Sequence, residues 1–170
     1  RFARHSPSIR AVLTRVFVFG LATSTASALA PLVARDTLGG DAATFGLLLG
    51  AQGIGAVVGA FFVTGIRDKV GNENAVRLFA LGAGLALIGV GLTGSLPVAL
   101  VAFVVLGACN ILTVALLNVS VQLFAPRWVT ARALSLFSSA ITAGVGIGAW
   151  CWGMVAAHQG VAFALVASGI

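Results

Sequence analysis

Charge is the scarcest property of this chain: only 8% of its 170 residues are Asp, Glu, Lys or Arg, whereas 59% are hydrophobic. A water-soluble domain carries about 25% charged residues, because its surface has to be hydrated. A chain with so little charge cannot cover a water-facing surface. The composition therefore excludes an ordinary soluble domain and predicts a protein that is solvated by lipid.

Acidic residues are especially few, and none lies within a long apolar run. The four of them fall in predicted loops or at loop edges: Asp36, Asp41, Asp68 and Glu73. Carboxylates inside the bilayer are common carriers in proton relays. We therefore expect any proton-coupling residue to lie outside this stretch of sequence.

Cysteine and catalytic motifs are also nearly absent. Cys109 and Cys151 stand far apart in apolar runs, without the spacing of a metal site, and predict neither a disulfide nor a metal centre. There is no GxSxG or HExxH pattern and no set of polar catalytic groups at depth. We expect no enzyme, no metal and no cofactor.

The net charge of +6 does not indicate nucleic-acid binding. Such binding needs a basic face with aromatic or polar partners. Here the basic residues stand at the ends of apolar runs. We therefore expect no nucleic-acid partner, and interpret the basic residues as determinants of membrane orientation.

Long apolar runs predict an all-α, polytopic membrane helix bundle that forms a single transmembrane domain. A spanning helix needs about 20 mostly apolar residues, and breakers such as Pro97 and Pro126 separate the runs. The sixth run is cut short, which suggests a fragment of a longer protein. The predicted spans are residues 12–34, 45–66, 75–93, 98–124, 133–157 and 161–170.

The basic residues predict which side of the membrane each loop faces. Nine of the ten belong to the N-terminal segment or to the links after the second and fourth spans, if Arg15 and Arg77 at the adjoining span ends are included, and Arg35 stands alone on the other side. Cytoplasmic loops are enriched in Lys and Arg. We therefore expect a multi-pass protein of the cell (inner) membrane whose N-terminal segment is cytoplasmic.

Uncharged polar residues within the spans are candidates for lining a cavity. An amide or hydroxyl in hydrocarbon is costly unless it is paired, so such groups should face other helices or water. The third span is almost devoid of them and should lie at the periphery. The candidates are Thr23, Ser27, Gln52, Asn110 and Thr113.

Glycines at intervals of four predict flat helix faces for close packing. Three such pairs occur within spans, and the alternative interpretation is a hinge for alternating access. The pairs are Gly46 with Gly50, Gly55 with Gly59, and Gly144 with Gly148.

The charged turn TGIRDKVGNENAVRLF resembles the loop signature of the major facilitator superfamily, roughly G-x-x-x-D-[RK]-x-G-[RK]-[RK]. Asp68, Lys69 and Gly71 match it in order and spacing. Thr64 replaces the leading glycine, and Asn72 and Glu73 replace the basic pair. A degenerate signature is typical of the second copy in this superfamily, so the chain resembles its C-terminal six-helix half.

The resemblance implies a secondary transporter with alternating access, whose partners are the lipid bilayer, a missing N-terminal half and a small-molecule substrate. In that superfamily the first and fourth helices of each half line the cavity. The link APRWVTARALSLF resembles exporters related to the enterobactin exporter. We therefore expect export of a small amphipathic molecule by proton antiport. The alternative is a channel or a non-transporting scaffold.

The resemblance also suggests a cytoplasmic latch. We expect the second and fifth helices to be neighbours, so that Asp68 at the end of one meets Arg132 at the start of the other. An exposed ion pair contributes only about 0–1 kcal/mol, so its role would be to hold one state of the transport cycle. The alternative is that Asp68 pairs locally.

The orientation generates a labelling prediction. Asp41→Cys and Asn72→Cys, introduced singly in a background without Cys109 and Cys151, place thiols in links on opposite sides of the membrane. A membrane-impermeant maleimide added to intact cells should label Asp41→Cys and leave Asn72→Cys unlabelled until the membrane is permeabilised. Equal labelling of both in intact cells would contradict the topology.

Overall fold

The computed structural model describes residues 7–92, 94–124 and 130–169, and nearly all of them are helical. There is no strand in these ranges, which confirms the all-α fold. The π-helical turn Val33–Thr37 extends the first helix. The helices are α1 (Pro7–Leu32), α2 (Ala42–Val70), α3 (Asn72–Leu92), α4 (Leu96–Phe124), α5 (Thr130–Gln159) and α6 (Val161–Gly169).

Five of the described helices are long and apolar enough to cross a membrane. The 29 residues of α2 give a length of about 44 Å, more than the roughly 30 Å of hydrocarbon. The helix extends beyond the predicted span 45–66 because the charged stretch from Arg67 to Lys69 continues it. α6 has nine residues and lies against α3.

Single glycines with positive φ make the two tightest links. Gly71 (φ 79°) joins α2 to α3, and Gly160 (φ 89°) joins α5 to α6. A side chain is strained at such φ values, so glycine is the residue that reverses the chain in one step. This explains the glycine of the loop signature.

Asp41 caps the start of α2. Its carboxylate Oδ1 accepts hydrogen bonds from the backbone N–H groups of Ala43 (3.0 Å) and Thr44 (3.2 Å). These bonds favour the ionised form and hold the pKa of Asp41 below its ordinary value. The cap satisfies N–H groups that the first helical turn leaves without partners.

The bundle is built on two closely packed pairs of helices. α5 crosses α1, and α4 crosses α2. α3 packs on α4 and α6, at the side of the bundle, where Leu78, Leu81 and Leu85 are exposed. The peripheral position predicted for the third span agrees with this arrangement.

Glycines bring the backbones together in the α1–α5 crossing. A methyl group added at Gly20 would lie 2.9 Å from the carbonyl oxygen of Ile141 and 3.3 Å from the amide nitrogen of Val145. From the other helix, Gly144 and Gly148 meet the backbone of α1 so closely that a methyl group at either would collide with it. Only glycine allows this approach.

The α2–α4 crossing repeats these contacts. A methyl group at Gly107 would collide with the carbonyl oxygen of Gln52 and lie 3.0 Å from the amide nitrogen of Ala56. From α2, Gly55 and Gly59 meet the backbone of α4 in the same manner. The same three-glycine arrangement therefore holds both pairs.

Equivalent residues of α2 and α5, and the turn glycines that follow these helices, are separated by a constant interval in the sequence. The interval from Gln52 to Ile141 recurs from Ala56 to Val145, from Gly55 to Gly144, from Gly59 to Gly148 and from Gly71 to Gly160. The six helices are thus two triplets, α1–α3 and α4–α6. Since each triplet has three helices, the second enters the membrane from the side opposite the first, which makes this an inverted repeat.

One prediction about packing is wrong, and the packing role of one glycine pair stays a prediction. The second and fifth helices are not a packed pair among the described residues, because α2 packs on α4 and α5 on α1. Gly46 and Gly50 do not mediate packing within this chain: both are exposed, and a methyl group at either would contact nothing within 4 Å. Their spacing matches that of Gly55 and Gly59, but they lie on another face of α2.

The crossing geometry predicts the effect of a single methyl group. Gly107→Ala should lower the free energy of unfolding by about 1–3 kcal/mol, because the helices must separate to accommodate the added carbon. Gly89→Ala is the matched control, since a methyl group there contacts nothing within 4 Å. Thermal and denaturant unfolding in detergent would measure the stability of both variants. Equal stabilities would contradict the close backbone contact at Gly107.

Candidate functional site

A groove of about 550 Å³ opens between α1, α3, α4 and α6. Its walls are mostly apolar, with hydroxyl groups of Thr23, Thr113 and Ser168 along it. Charged side chains from α1 and α3 stand at the end that holds Thr14 and Glu73. The groove thus combines an apolar interior with one charged end.

Most hydroxyls along this groove are already hydrogen-bonded to their own helix. Thr23 donates to the carbonyl oxygen of Phe19 (2.8 Å), and Ser168 to that of Leu165 (2.9 Å). Thr113 is 1% exposed, and its Oγ1 has no hydrogen-bond partner within the described residues. Thr113 is therefore a buried hydroxyl of the groove that has an unused donor.

An ion-pair cluster lies at the charged end of the groove. Both terminal nitrogens of Arg15 donate to the carboxylate of Glu73, each at 3.1 Å, and Arg77 donates to the same carboxylate at 3.3 Å. The Arg15 contact is bidentate, the geometry in which an arginine–carboxylate pair is most specific. It joins α1 to α3, which otherwise make few contacts.

The remaining cavity candidates lie outside the groove. Ser27 is exposed on α1 and donates to the carbonyl oxygen of Ser24 (3.2 Å). Gln52 is half-buried at the α2–α4 crossing, and Asn110 is half-buried on α4, three residues after Gly107. The structure thus brings Thr23 and Thr113 to one groove and leaves Ser27, Gln52 and Asn110 outside it.

The latch residues are only partly described. The backbone of Asp68 and Lys69 belongs to α2, but their side chains lie outside what the structure describes. Arg132 is exposed in the first turn of α5, and Gly71 forms the α2–α3 turn. Because α2 and α5 are not packed together, the helix arrangement does not support an Asp68–Arg132 contact within this chain.

Sequence reasoning missed a polar stripe on α5. Ser135, Ser139 and Thr142 are exposed and share a helix face. They occupy the positions in the second triplet that Gly46, Gly50 and Gly53 occupy in the first. The recurring interval between glycine pairs was the signal that could have revealed this equivalence.

A tryptophan contact was also missed. The indole N–H of Trp152 donates to the main-chain carbonyl oxygen of Leu21, at 3.0 Å, across the α1–α5 crossing. The signal in the sequence is the position of Trp152, four residues after Gly148 and on the same helix face.

The ion-pair cluster predicts a salt-sensitive coupling. In a double-mutant cycle of Arg15→Gln and Glu73→Gln, the two losses in melting temperature should be less than additive at low salt. The coupling should vanish near 1 M salt, where the Debye length is about 3 Å. The Arg77→Gln cycle with Glu73→Gln is the control and should show weaker coupling, because that contact is a single bond within one helix. Additive losses at low salt would contradict the bridge.

Comparison with known proteins identifies the family. A family model described as transmembrane secretion effector, of the major facilitator type, matches residues 1–170. No curated protein and no solved structure matches the chain. The match extends over the whole bundle, including both triplets. The chain therefore belongs to the transmembrane secretion effector family of major-facilitator-type transporters.

Proposed function

We propose that this chain is the C-terminal half of a twelve-helix secondary transporter that exports a small amphipathic molecule by proton antiport. The observation that carries the proposal is the inverted repeat, in which the same glycine contacts hold α1 on α5 and α4 on α2. Inverted repeats are typical of transporters that expose a central site alternately to the two sides of the membrane. A channel or a scaffold has no need of this arrangement.

The surfaces of α2 and α5 support a second half. Both helices are mostly exposed and carry large apolar side chains such as Phe61 and Trp150, which suit lipid. Beside these lie exposed small residues, with Gly46 and Gly50 on α2 and Ser139 on α5. Small residues let helices approach closely, so we assign these stripes to contact with the N-terminal half.

The inverted repeat also suggests what fills the groove. α6 corresponds to α3, which has 21 residues. α3 borders the groove from Glu73 to Leu87. Since α6 ends with Gly169 beside Gly84, the length of α3 that α6 leaves uncovered, from Glu73 to Gly84, is about 17 Å at 1.5 Å per residue. A helix continuing α6 along this length would total about 20 residues, enough to span the bilayer. We therefore propose that a helical segment in line with α6 fills this groove in the whole transporter.

With the groove filled, the substrate cavity is assigned to the surfaces of α1 and α4 that face the other half. Ser27 and Asn110 are the polar candidates on these helices, with Gln52 at the edge. None is charged, which favours a substrate held by hydrogen bonds and apolar contacts. Since the acidic residues of this chain lie at span ends or in links, we assign the proton carrier to the N-terminal half.

The proposal includes the orientation of the chain across the membrane and the membrane in which it lies. The N-terminal segment and the α2–α3 link face the cytoplasm, and the protein lies in the cell (inner) membrane. The basic residues support this, with nine on the proposed cytoplasmic side. Export then moves substrate from the side of Gly71 to the side of Asp41.

Transport by reconstituted full-length protein tests the function. Proteoliposomes loaded with ethidium, an amphipathic cation, should show saturable dye efflux that accelerates with an opposing proton gradient and stops with an uncoupler. Asn110→Ala should lower the maximal rate about tenfold or more through lost substrate contacts. Val105→Ala is the matched control, because Val105 is an exposed apolar residue of the same helix.

The alternatives give different results. A channel would show non-saturable ion flux without counterflow, and a scaffold would show neither flux nor dye binding. Counterflow of dye at a rate that does not depend on the proton gradient would support a transporter and contradict proton antiport.

A further inference from the structure

The two crossings share their glycine contacts but differ in two side-chain hydrogen bonds. In the α1–α5 crossing, the carbonyl oxygen of Leu21 accepts the indole N–H of Trp152 (3.0 Å) and the hydroxyl of Ser24 (2.8 Å). The Trp152 ring also packs on a buried cluster of Leu29, Ala156 and Ala164. One main-chain atom of α1 is therefore held by a side chain of α5.

The residues at the equivalent positions of the α2–α4 crossing have no side-chain donors. Gly59 contacts the backbone of Ala108 as Gly148 contacts that of Leu21. The residue four after Gly59 is Val63, where the other crossing has Trp152. The residue three after Ala108 is Ile111, where the other crossing has Ser24. Neither valine nor isoleucine has a side-chain donor.

This difference has a mechanical consequence. Flat glycine faces in van der Waals contact keep nearly the same energy when one helix slides a little along the other. A hydrogen bond weakens steeply once its distance or angle departs from the optimum. Displacement between α1 and α5 would break the Trp152 bond, whereas displacement between α2 and α4 breaks no equivalent bond.

We propose that α1 and α5 form a locked pair, with Trp152 as the lock, and that the α2–α4 crossing is the one that shifts during the transport cycle. The second statement rests on the proposed transport function, and the first does not. The lock holds α1 at Leu21, between the groove residue Thr23 and the crossing residue Gly20. It thereby fixes α1, the first cavity-lining helix, on α5 while α2 and α4 shift against each other.

Hydrogen–deuterium exchange on the full-length protein in nanodiscs tests the lock. Trp152→Phe keeps an aromatic ring and removes the donor. Exchange in residues 21–28 of α1 should rise about threefold, the factor expected for losing one interhelical hydrogen bond of average strength in a membrane. Exchange in residues 108–115 of α4, the equivalent segment, should stay unchanged.

Two further variants separate the lock from general loss of stability. Trp150→Phe alters an exposed tryptophan of the same helix and should change neither segment. Trp152→His retains a ring N–H and should return exchange in α1 toward the wild-type rate. Unchanged exchange in α1 with Trp152→Phe, or an equal rise in both segments, would overturn the lock.

The transport cycle itself is tested by cross-linking. Disulfides formed between cysteine pairs placed across each crossing should block transport for α2–α4 and spare it for α1–α5. Equal inhibition by both cross-links would overturn the assignment of the moving crossing. Absence of transport in the uncross-linked protein would instead contradict the proposed function and leave the exchange result to decide the lock.

Discussion

The fold depends on close backbone contact between helices in a solvent that gives no hydrophobic reward for association. Lipid tails are as apolar as leucine, so membrane helices associate through van der Waals packing and a few hydrogen bonds. Both crossings meet this constraint with glycine on each side, Gly20 against Gly144 and Gly107 against Gly55. The other helices are arranged around these two contacts, since α3 packs on α4, and α6 packs on α3 and α5.

Duplication of one crossing explains much of the rest. The same interval relates the turn glycines Gly71 and Gly160, and the residue four positions after each donates its backbone N–H to the glycine carbonyl, at 3.1 and 3.2 Å. The two triplets share these backbone contacts but differ in the side chains at some equivalent positions. The second triplet has hydroxyls where the first has exposed glycines, and it has Trp152 where the first has Val63.

Composition and breaker positions sufficed to predict the helices, because a lipid-solvated chain has few alternatives to spanning helices. They could not predict which helices pack together. Gly46 and Gly50 have the same spacing as Gly55 and Gly59, and only the rotation of α2 against α4 decides which pair is buried. The prediction that α2 packs against α5 was wrong for the same reason. A sequence pattern indicates which helix face packs closely, but it does not indicate which helix packs against that face. Thr113 was predicted to line a cavity from its polarity alone. That its hydroxyl is unpaired depends on the side-chain conformations of the neighbouring helices, which the sequence does not give.

The departure of the charged turn from the loop signature has a structural explanation. The signature has basic residues after the glycine, whereas this chain has Glu73, which binds Arg15 and Arg77. A basic residue at this position would stand beside two arginines and repel both. Arg15 lies about two turns into α1 and has no other acidic partner among the described residues. Glu73 in place of the signature's basic residue is therefore compatible with Arg15 on α1. A basic residue here would repel α1, whereas Glu73 binds it.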